Sequence, residues 1–451
     1  MQYDVSIIGG KVVFPDGVQE VNIGIQGGRI AAIASGDLDA RTVVRAHGKL
    51  VLPGFIDPHV HIGFADEQNE FRTETSGAAV GGVTTVMVYY RRLQPYGADL
   101  EDFISLGASQ AHVDFGLHLG MLLDEHLEEA QNLSDRFGIT SFKMYTAYKD
   151  KELQGNGVRG EDDGYIVDAM EVLAKIPGAV VNVHCENDDI YMRRLQVLKG
   201  QGRSGHPLAL WSWARPPIGE AEAIQRVAMF ARNAGTTVYI PHVGSRMALE
   251  AVRLARQLGT HIHFETCPHY FLLHDAMEGH ARYAKVNPPV RSDADRQEIL
   301  AALRSGECDT VGTDHATIFL EGKQGKEVWQ QRPGFPGVDL VLRSLLELVH
   351  RRELPAEALA QYPQKTARIF GLRDKGRIAV GADADIVLVD PDAARTIAAQ
   401  DLASSSDLSV YEGMTFHGLP TLTMLRGQPV AQDGRLVGGA QGRYLRRGRS
   451  A

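Results

Sequence analysis

Between residues 54 and 314, short apolar runs alternate with segments whose apolar positions recur every three or four residues. The runs are "GFIDPHVHI", "VTTVMVYY", "VDFGLHLGML", "ITSFKMYTAY", "AVVNVHCE", "TTVYIPHVG", "HIHFETC" and "CDTVGTD". Segments such as "EAEAIQRVAMFARNAG" and "RMALEAVRLARQLG" carry the helical period. Apolar runs alternating with helices in this way predict an α/β fold built on a parallel barrel. The first fifty residues differ. "YDVSIIGGKVVF", "VNIGIQGGRIAAI" and "TVVRAHGKLVL" read as strands separated by glycine turns. The last eighty read alike, with "GADADIVLVD", "PTLTMLRGQPV" and "AQDGRLV". Both chain ends are therefore expected to build one small β-domain. The expected division is 1–52 and 373–451 for that domain, with 53–372 as the barrel. Two long connections, after the fifth and eighth runs, are expected as loops over the barrel mouth.

Composition narrows the function classes. The chain has 451 residues, 44% hydrophobic and 23% charged, which suits one large and one small domain. A net charge of −9 gives no broad basic surface, so nucleic acid is not an expected partner. The basic "GRYLRRGRS" near the C-terminus reads as a solvated tail. No apolar run of about 20 residues exists, and the N-terminus lacks a secretory pattern, so no membrane partner is expected. Cys185, Cys267 and Cys308 are far apart, and none forms a C-x-x-C pair. They suit a reducing cytoplasm better than a disulfide framework.

Chemistry gathers at the ends of the predicted strands. His59 and His61 sit at i and i+2, so they share one face of the first strand. His184 lies at the end of the fifth strand, His242 of the sixth and Asp314 of the eighth. Lys143, in "SFKMYTAY", is expected to end the fourth. One buried histidine or lysine is most simply a satisfied core residue. So many at the catalytic rim of one barrel point to a metal site, because neutral imidazole and carboxylate are divalent-metal ligands.

The motifs "LVLPGFIDPHVH", "AAVGGVTTV", "SFKMYTAYK", "VHCEN", "KVNPPVR", "VGTDHA" and "GADADIVLVD" together resemble the amidohydrolase superfamily. Within it the chain is similar to the cyclic amidohydrolases: dihydropyrimidinases, hydantoinases, allantoinases and dihydroorotases. The resemblance implies a distorted (β/α)8 TIM barrel with a small β-sandwich formed by both chain ends. It implies two divalent metal ions, zinc or else manganese or cobalt, bridged by a CO2-derived carbamate on Lys143. By match, His59, His61 and Asp314 hold the more buried ion, and His184 and His242 the exposed one. A bridging hydroxide then attacks a ring carbonyl. Tyr148 steadies the developing oxyanion, and Asp314 carries the proton to the departing nitrogen. Relatives are mostly homotetramers or dimers, so a homo-oligomer is expected.

The ring itself stays open. Asn287, Gly334 and Phe335 match substrate-contacting positions of relatives. Asn287, however, stands where serine is common, and Pro333 where hydantoinases have asparagine. The dihydroorotase arginine after H-x-H and asparagine after the second strand are absent. Arg91 and Arg92 stand after the second strand instead, as a solvated basic pair or as ligands for a carboxylate. Phe64, Tyr89, Tyr90, Trp211 and Trp213 are candidates for an aromatic pocket, with at least half expected to be packing. The leading reading is a hydantoin or dihydropyrimidine ring. The alternatives are a different or acidic cyclic amide, as in allantoinase or dihydroorotase, and a non-catalytic dihydropyrimidinase-like scaffold.

Overall fold

The structure is a computed structural model that describes residues 2–97, 99–149, 160–201 and 203–447. The end of the basic tail and one residue of the long connection after the fifth strand lie outside the described residues. The chain divides into two compact units, one of residues 1–87, 104–116 and 336–445, the other of 88–103, 117–335 and 446–451.

In the first unit the two chain ends share a sheet. The seven-stranded sheet has spatial order Arg435–Leu436, Gln428–Gln432, Thr415–Leu425, Ile386–Thr396, Leu50–Pro53, Lys11–Phe14 and Gly17–Glu20. Its central pairing sets Ile386 opposite Pro53 and Leu388 opposite Val51. A second sheet orders Arg29–Ala34, Asn22–Gln26, Tyr3–Ile8 and Ala40–Arg45. Alternate residues of these strands turn inward, so Val5, Ile7, Ile23, Ile25, Val51, Ile386, Leu388 and Met424 meet in one core. Full burial of each large side chain contributes roughly 1.5–3 kcal/mol.

The strand Phe55–His61 follows Leu50–Pro53 almost directly. Only glycine fits between them at position 54, because any side chain there would collide with Thr84. The Gly54 N–H donates to the Asp385 carbonyl at 2.8 Å, which ties the start of this strand to the C-terminal segment.

A feature not visible in the sequence lies nearby. Asp114, Asp383 and Asp385 bring carboxylate oxygens within 4.8 Å of one another. Lys375 is already at their centre, with its amine 2.5, 2.9 and 2.8 Å from the three. Arg426 adds a contact of 2.6 Å to Asp114. The acids raise the pKa of the Lys375 ammonium well above the usual lysine value, against the opposing effect of burial. The cluster is a compensated ion network. Replacing Lys375 with methionine strands the acids, and unfolding in denaturant should show a loss of about 3–5 kcal/mol. A loss under about 1 kcal/mol would mean that solvent or Arg426 already compensates them.

The second unit follows the α/β alternation. Its parallel sheet runs Thr310–Val311, Ile262–Thr266, Thr237–Ile240, Val180–His184, Ser141–Tyr145 and on to Asp114–Gly120. The register sets Tyr145 beside His184 and Lys143 beside Asn182. The strands are almost wholly buried, as parallel strands covered on both faces require. The helices Asp163–Leu173, Arg246–Gln257 and Asp293–Arg304 start where Asp162, Ser245 and Ser292 accept an N–H of the first turn. Helix Pro217–Ala234 ends on Gly235 in the left-handed conformation.

The two long connections are not plain loops. The first folds into helices Asp188–Gln201 and Pro207–Ala214. Their apolar faces close a local core of Tyr191, Leu195, Leu198, Trp211, Ala214 and Val328. The second carries 3-10 turns at Leu320–Lys323 and Val328–Gln330. It is held by two buried amines. Lys285 donates to the carbonyls of Gln331 and Trp329, and Lys323 to those of Lys285 and Arg332. Cys185, Cys267 and Cys308 are buried free thiols. Among the described residues no helix is long and apolar enough to cross a membrane.

Candidate active site

In the first unit, His59 is buried and His61 half-buried on the strand Phe55–His61. Their ring centroids are 5.3 Å apart with the edge of one facing the other. The preceding Asp-Pro has a local reason. Asp57 Oδ1 accepts the His59 N–H at 3.0 Å and fixes the backbone between them. The turn after His61 is built around the buried Glu70. Its carboxylate accepts four successive N–H groups, from Gly63, Phe64, Ala65 and Asp66, at 2.5–3.1 Å. Phe64 is thereby held with its ring 6.1 Å from that of His61.

In the second unit, Lys143 lies in the middle of its strand rather than at the end, and its side chain is buried. The amine sits over the rings of Tyr89, at 4.8 Å, and Tyr145, at 5.1 Å. Burial pulls its pKa down to about 8, although the charges of Asp314 and Glu265 oppose the shift. A sizeable neutral fraction is therefore present near neutral pH, and only a neutral amine is nucleophilic.

His184 and His242 face each other. His184 Nδ1 and His242 Nε2 are 3.0 Å apart. The other ring nitrogen of His184, Nε2, is 2.8 Å from Glu186 Oε2. Burial lowers the His184 pKa, so the neutral ring is favoured. A neutral ring that donates Nε2–H to Glu186 presents its Nδ1 lone pair toward His242. Arg215 clamps Glu186 in a two-point pair, with one bond to Oε1 and one to the Oε2 that also faces His184. His242 lies two residues past its strand and Asp314 three past its own. Both have left-handed backbones, φ 47° and 52°. Tyr148 shares this geometry at φ 70°. Non-glycine residues rarely adopt that region, and they concentrate where function holds them there. Local partners hold two of them. Asp188 accepts the Tyr148 N–H at 2.9 Å, and Glu265 accepts that of His242 at 3.2 Å.

Tyr148 and Asn287 are brought together. Asn287 Nδ2 donates to the Tyr148 hydroxyl oxygen at 3.2 Å. Asn287 Oδ1 accepts from Trp211 Nε1 at 3.1 Å, which sets the amide's orientation. The Tyr148 O–H hydrogen is then available for another acceptor. Burial pushes the Tyr148 pKa up, so the hydroxyl stays protonated.

Arg91 and Arg92 part company. The Arg92 guanidinium stacks over Tyr90 at 4.6 Å. Arg91 hydrogen-bonds the Tyr145 hydroxyl, and its charge is felt at both Tyr145 and Lys143. Gly334 has φ 93° and donates its N–H to the Lys285 carbonyl at 2.9 Å. Phe335 is buried, with its ring 5.1 Å from that of His269. Of the aromatic candidates, Tyr90 stacks on Phe103 at 3.9 Å and Trp213 carries Arg203 at 4.0 Å, so both pack. Tyr89 donates its hydroxyl to Asn182.

Glu70, Glu186 and Arg215 were not singled out by the sequence. Glu186 carried a usable signal, an acid two residues after a candidate ligand in "VHCEN". Arg215 carried none, being 29 residues from its partner.

These donors suit a divalent metal. A neutral imidazole oriented by a carboxylate on its other nitrogen is the usual form of a metal-ligating histidine. The model of the amidohydrolase family matches residues 50–430. The chain is 33% identical to a dihydroorotase from Methanothermobacter thermautotrophicus, covering 94% of both chains. It is 32% identical to a D-hydantoinase from Ralstonia pickettii, covering 98% of this chain and 99% of the relative. Its structure matches that of an L-hydantoinase (dihydropyrimidinase) from Arthrobacter aurescens with a TM-score of 0.91 at 30% identity, over 98% and 99% of the two chains. The mixed α/β fold is that of these hydantoinase structures.

Proposed function

We propose, because this chain belongs to the amidohydrolase family, that it hydrolyses a cyclic amide of the hydantoin or dihydropyrimidine type with the help of two divalent metal ions. The observation that carries the reading is the pair His184 and His242, with nitrogens 3.0 Å apart and the other His184 nitrogen committed to Glu186. His59, His61 and Asp314 are the proposed ligands of one ion, His184 and His242 of the other, with a carbamate on Lys143 serving both. Zinc, manganese and cobalt all suit nitrogen and carboxylate donors. When bound, the ions supply Lewis acidity and a hydroxide nucleophile at neutral pH.

The chain's own residues supply the rest. Lys143, with its pKa lowered to about 8, can present the neutral amine that reacts with CO2. Tyr148 keeps its proton and donates it, as a hydrogen bond, to the oxygen of the ring carbonyl as negative charge grows there. Asn287 occupies the Tyr148 oxygen from behind and so aims that hydrogen. Asp314 takes the proton of the attacking water and delivers it to the departing ring nitrogen, so that one carboxylate serves as base and then acid. By resemblance the active form is a homo-oligomer, a dimer or tetramer.

An acidic ring is the second reading, and Arg91 favours it. Its guanidinium hydrogen-bonds the Tyr145 hydroxyl and its charge is felt at Lys143, whereas the Arg92 guanidinium lies over Tyr90. A guanidinium there suits a ring that carries a carboxylate.

Metal analysis alongside ring-opening assays tests the proposal. Hydantoin, 5-substituted hydantoins, dihydrouracil, allantoin and dihydroorotate are the substrates to compare. The expected result is two ions per chain and activity that a chelator removes and a divalent ion with bicarbonate restores. Undiminished turnover by metal-free protein would overturn the mechanism. Failure to bind metal in the presence of bicarbonate would support a scaffold role.

A further inference from the structure

The buried pair Glu186 and Arg215 touches more than each other. Arg215 donates Nε–H to Glu186 Oε1 at 2.9 Å and a second N–H to Oε2. Glu186 Oε2 is also the oxygen that faces His184 Nε2. The guanidinium carbon lies 4.1 Å from the centre of the Tyr191 ring, 5.5 Å from that of Trp211 and 5.6 Å from that of Tyr148. Trp211 and Tyr148 are the two side chains that fix Asn287, one on its oxygen and one on its nitrogen. One buried cation therefore borders the histidine arm and the ring-contacting arm together. Its own place is fixed from outside, because Arg291 donates to the Arg215 carbonyl and to Glu220.

We infer that Glu186 and Arg215 are positioning residues that lock the metal-facing nitrogen of His184 and at the same time set Tyr148 and Asn287 against the substrate. The inference rests on the metal-hydrolase reading above. Its physical basis is twofold. Glu186 selects the His184 tautomer with Nε2–H, so Nδ1 keeps its lone pair. Arg215 holds the Glu186 carboxylate in place by donating to both of its oxygens. The planar guanidinium fills the space between three aromatic rings, which a lysine cannot do. A change at this pair is thus felt as weaker metal binding on one side and looser substrate placement on the other.

The test uses full-length Glu186→Gln and Arg215→Lys, compared with the wild type. Metal affinity is measured by competition with a chromophoric chelator, kcat and KM at saturating metal, and melting of the metal-free proteins as a folding control. In Glu186→Gln one ion should keep its affinity while the second binds ten- to a hundredfold more weakly, about the range for lost outer partners of a ligand. Arg215→Lys should show the same metal defect and a rise in KM of about tenfold, from the lost stacking beside Tyr148 and Trp211. Two folded variants that melt earlier but keep both metal affinities and KM would make the pair merely structural and overturn the inference. If Arg215→Lys does not fold, Glu186→Gln decides alone, because it keeps the shape of the side chain while removing the charge and one of the two acceptor oxygens. A wild type that binds no metal would overturn the underlying reading. A wild type with two ions and variants of unchanged affinity would overturn only the positioning role.

Discussion

Lys143→Ala is expected to fold, to hold fewer metal ions and to open its ring substrate about a thousandfold more slowly or worse. The side chain is buried between Tyr89 and Tyr145, and the strand register places it beside Asn182 in the sheet. Nothing in the hydrogen bonding of the strand depends on the amine. The charged form is instead disfavoured, since burial takes the pKa from 10.5 to about 8. A lysine whose folded pKa is depressed costs stability that is fully present below the folded value and vanishes above the unfolded one. Relative to metal-free wild type, the alanine variant therefore loses its relief from this cost as pH rises from about 8 to about 10.5. That trend in melting temperature checks that the lysine is buried as described, independently of catalysis. Metal content and steady-state rates check the catalytic assignment. Full activity with two bound ions in Lys143→Ala would end it.

Tyr148→Phe is expected to keep both ions and lose about two to three orders of magnitude in kcat. The phenylalanine ring preserves the neighbours of the tyrosine, with His184 5.1 Å and Arg215 5.6 Å from its centre. Only the hydroxyl disappears, and with it the hydrogen bond offered to the developing oxyanion. Asn287 Nδ2 loses its acceptor as well, so KM should rise modestly. A loss of less than about tenfold in kcat would reassign Tyr148 to packing. The two variants separate the roles: Lys143→Ala should change metal content and rate together, and Tyr148→Phe the rate alone.

Much of this was open to reading along the chain, and for a physical reason. Strand and helix periods are local, so the spans of the parallel strands followed from runs of apolar residues; "VTTVMVYY" is the strand Val83–Tyr90 residue for residue. The H-x-H pair was legible because a period of two puts both rings on one face. Pairing of the two chain ends was legible because each end is β-rich and neither can close a core alone. Other features were hidden because they depend on residues far apart. Lys375 meets Asp114 across 261 positions, and Arg215 meets Glu186 across 29, without any local pattern to announce either. The long connections were misjudged as loops because glycine, proline and arginine in "KGQGRSGHPLALWSWARPP" conceal helices that form on an apolar cluster supplied partly by Val328. The sequence by itself determined which side chains are available as ligands, acids and donors, and on which strands they stand. Only the tertiary structure decided which nitrogen of His184 is committed to Glu186, that Arg91 hydrogen-bonds Tyr145 while Arg92 lies over Tyr90, and that Asn287 donates to the Tyr148 hydroxyl. Those choices are made by burial and by distant partners, where an unsatisfied charge or donor would cost several kcal/mol.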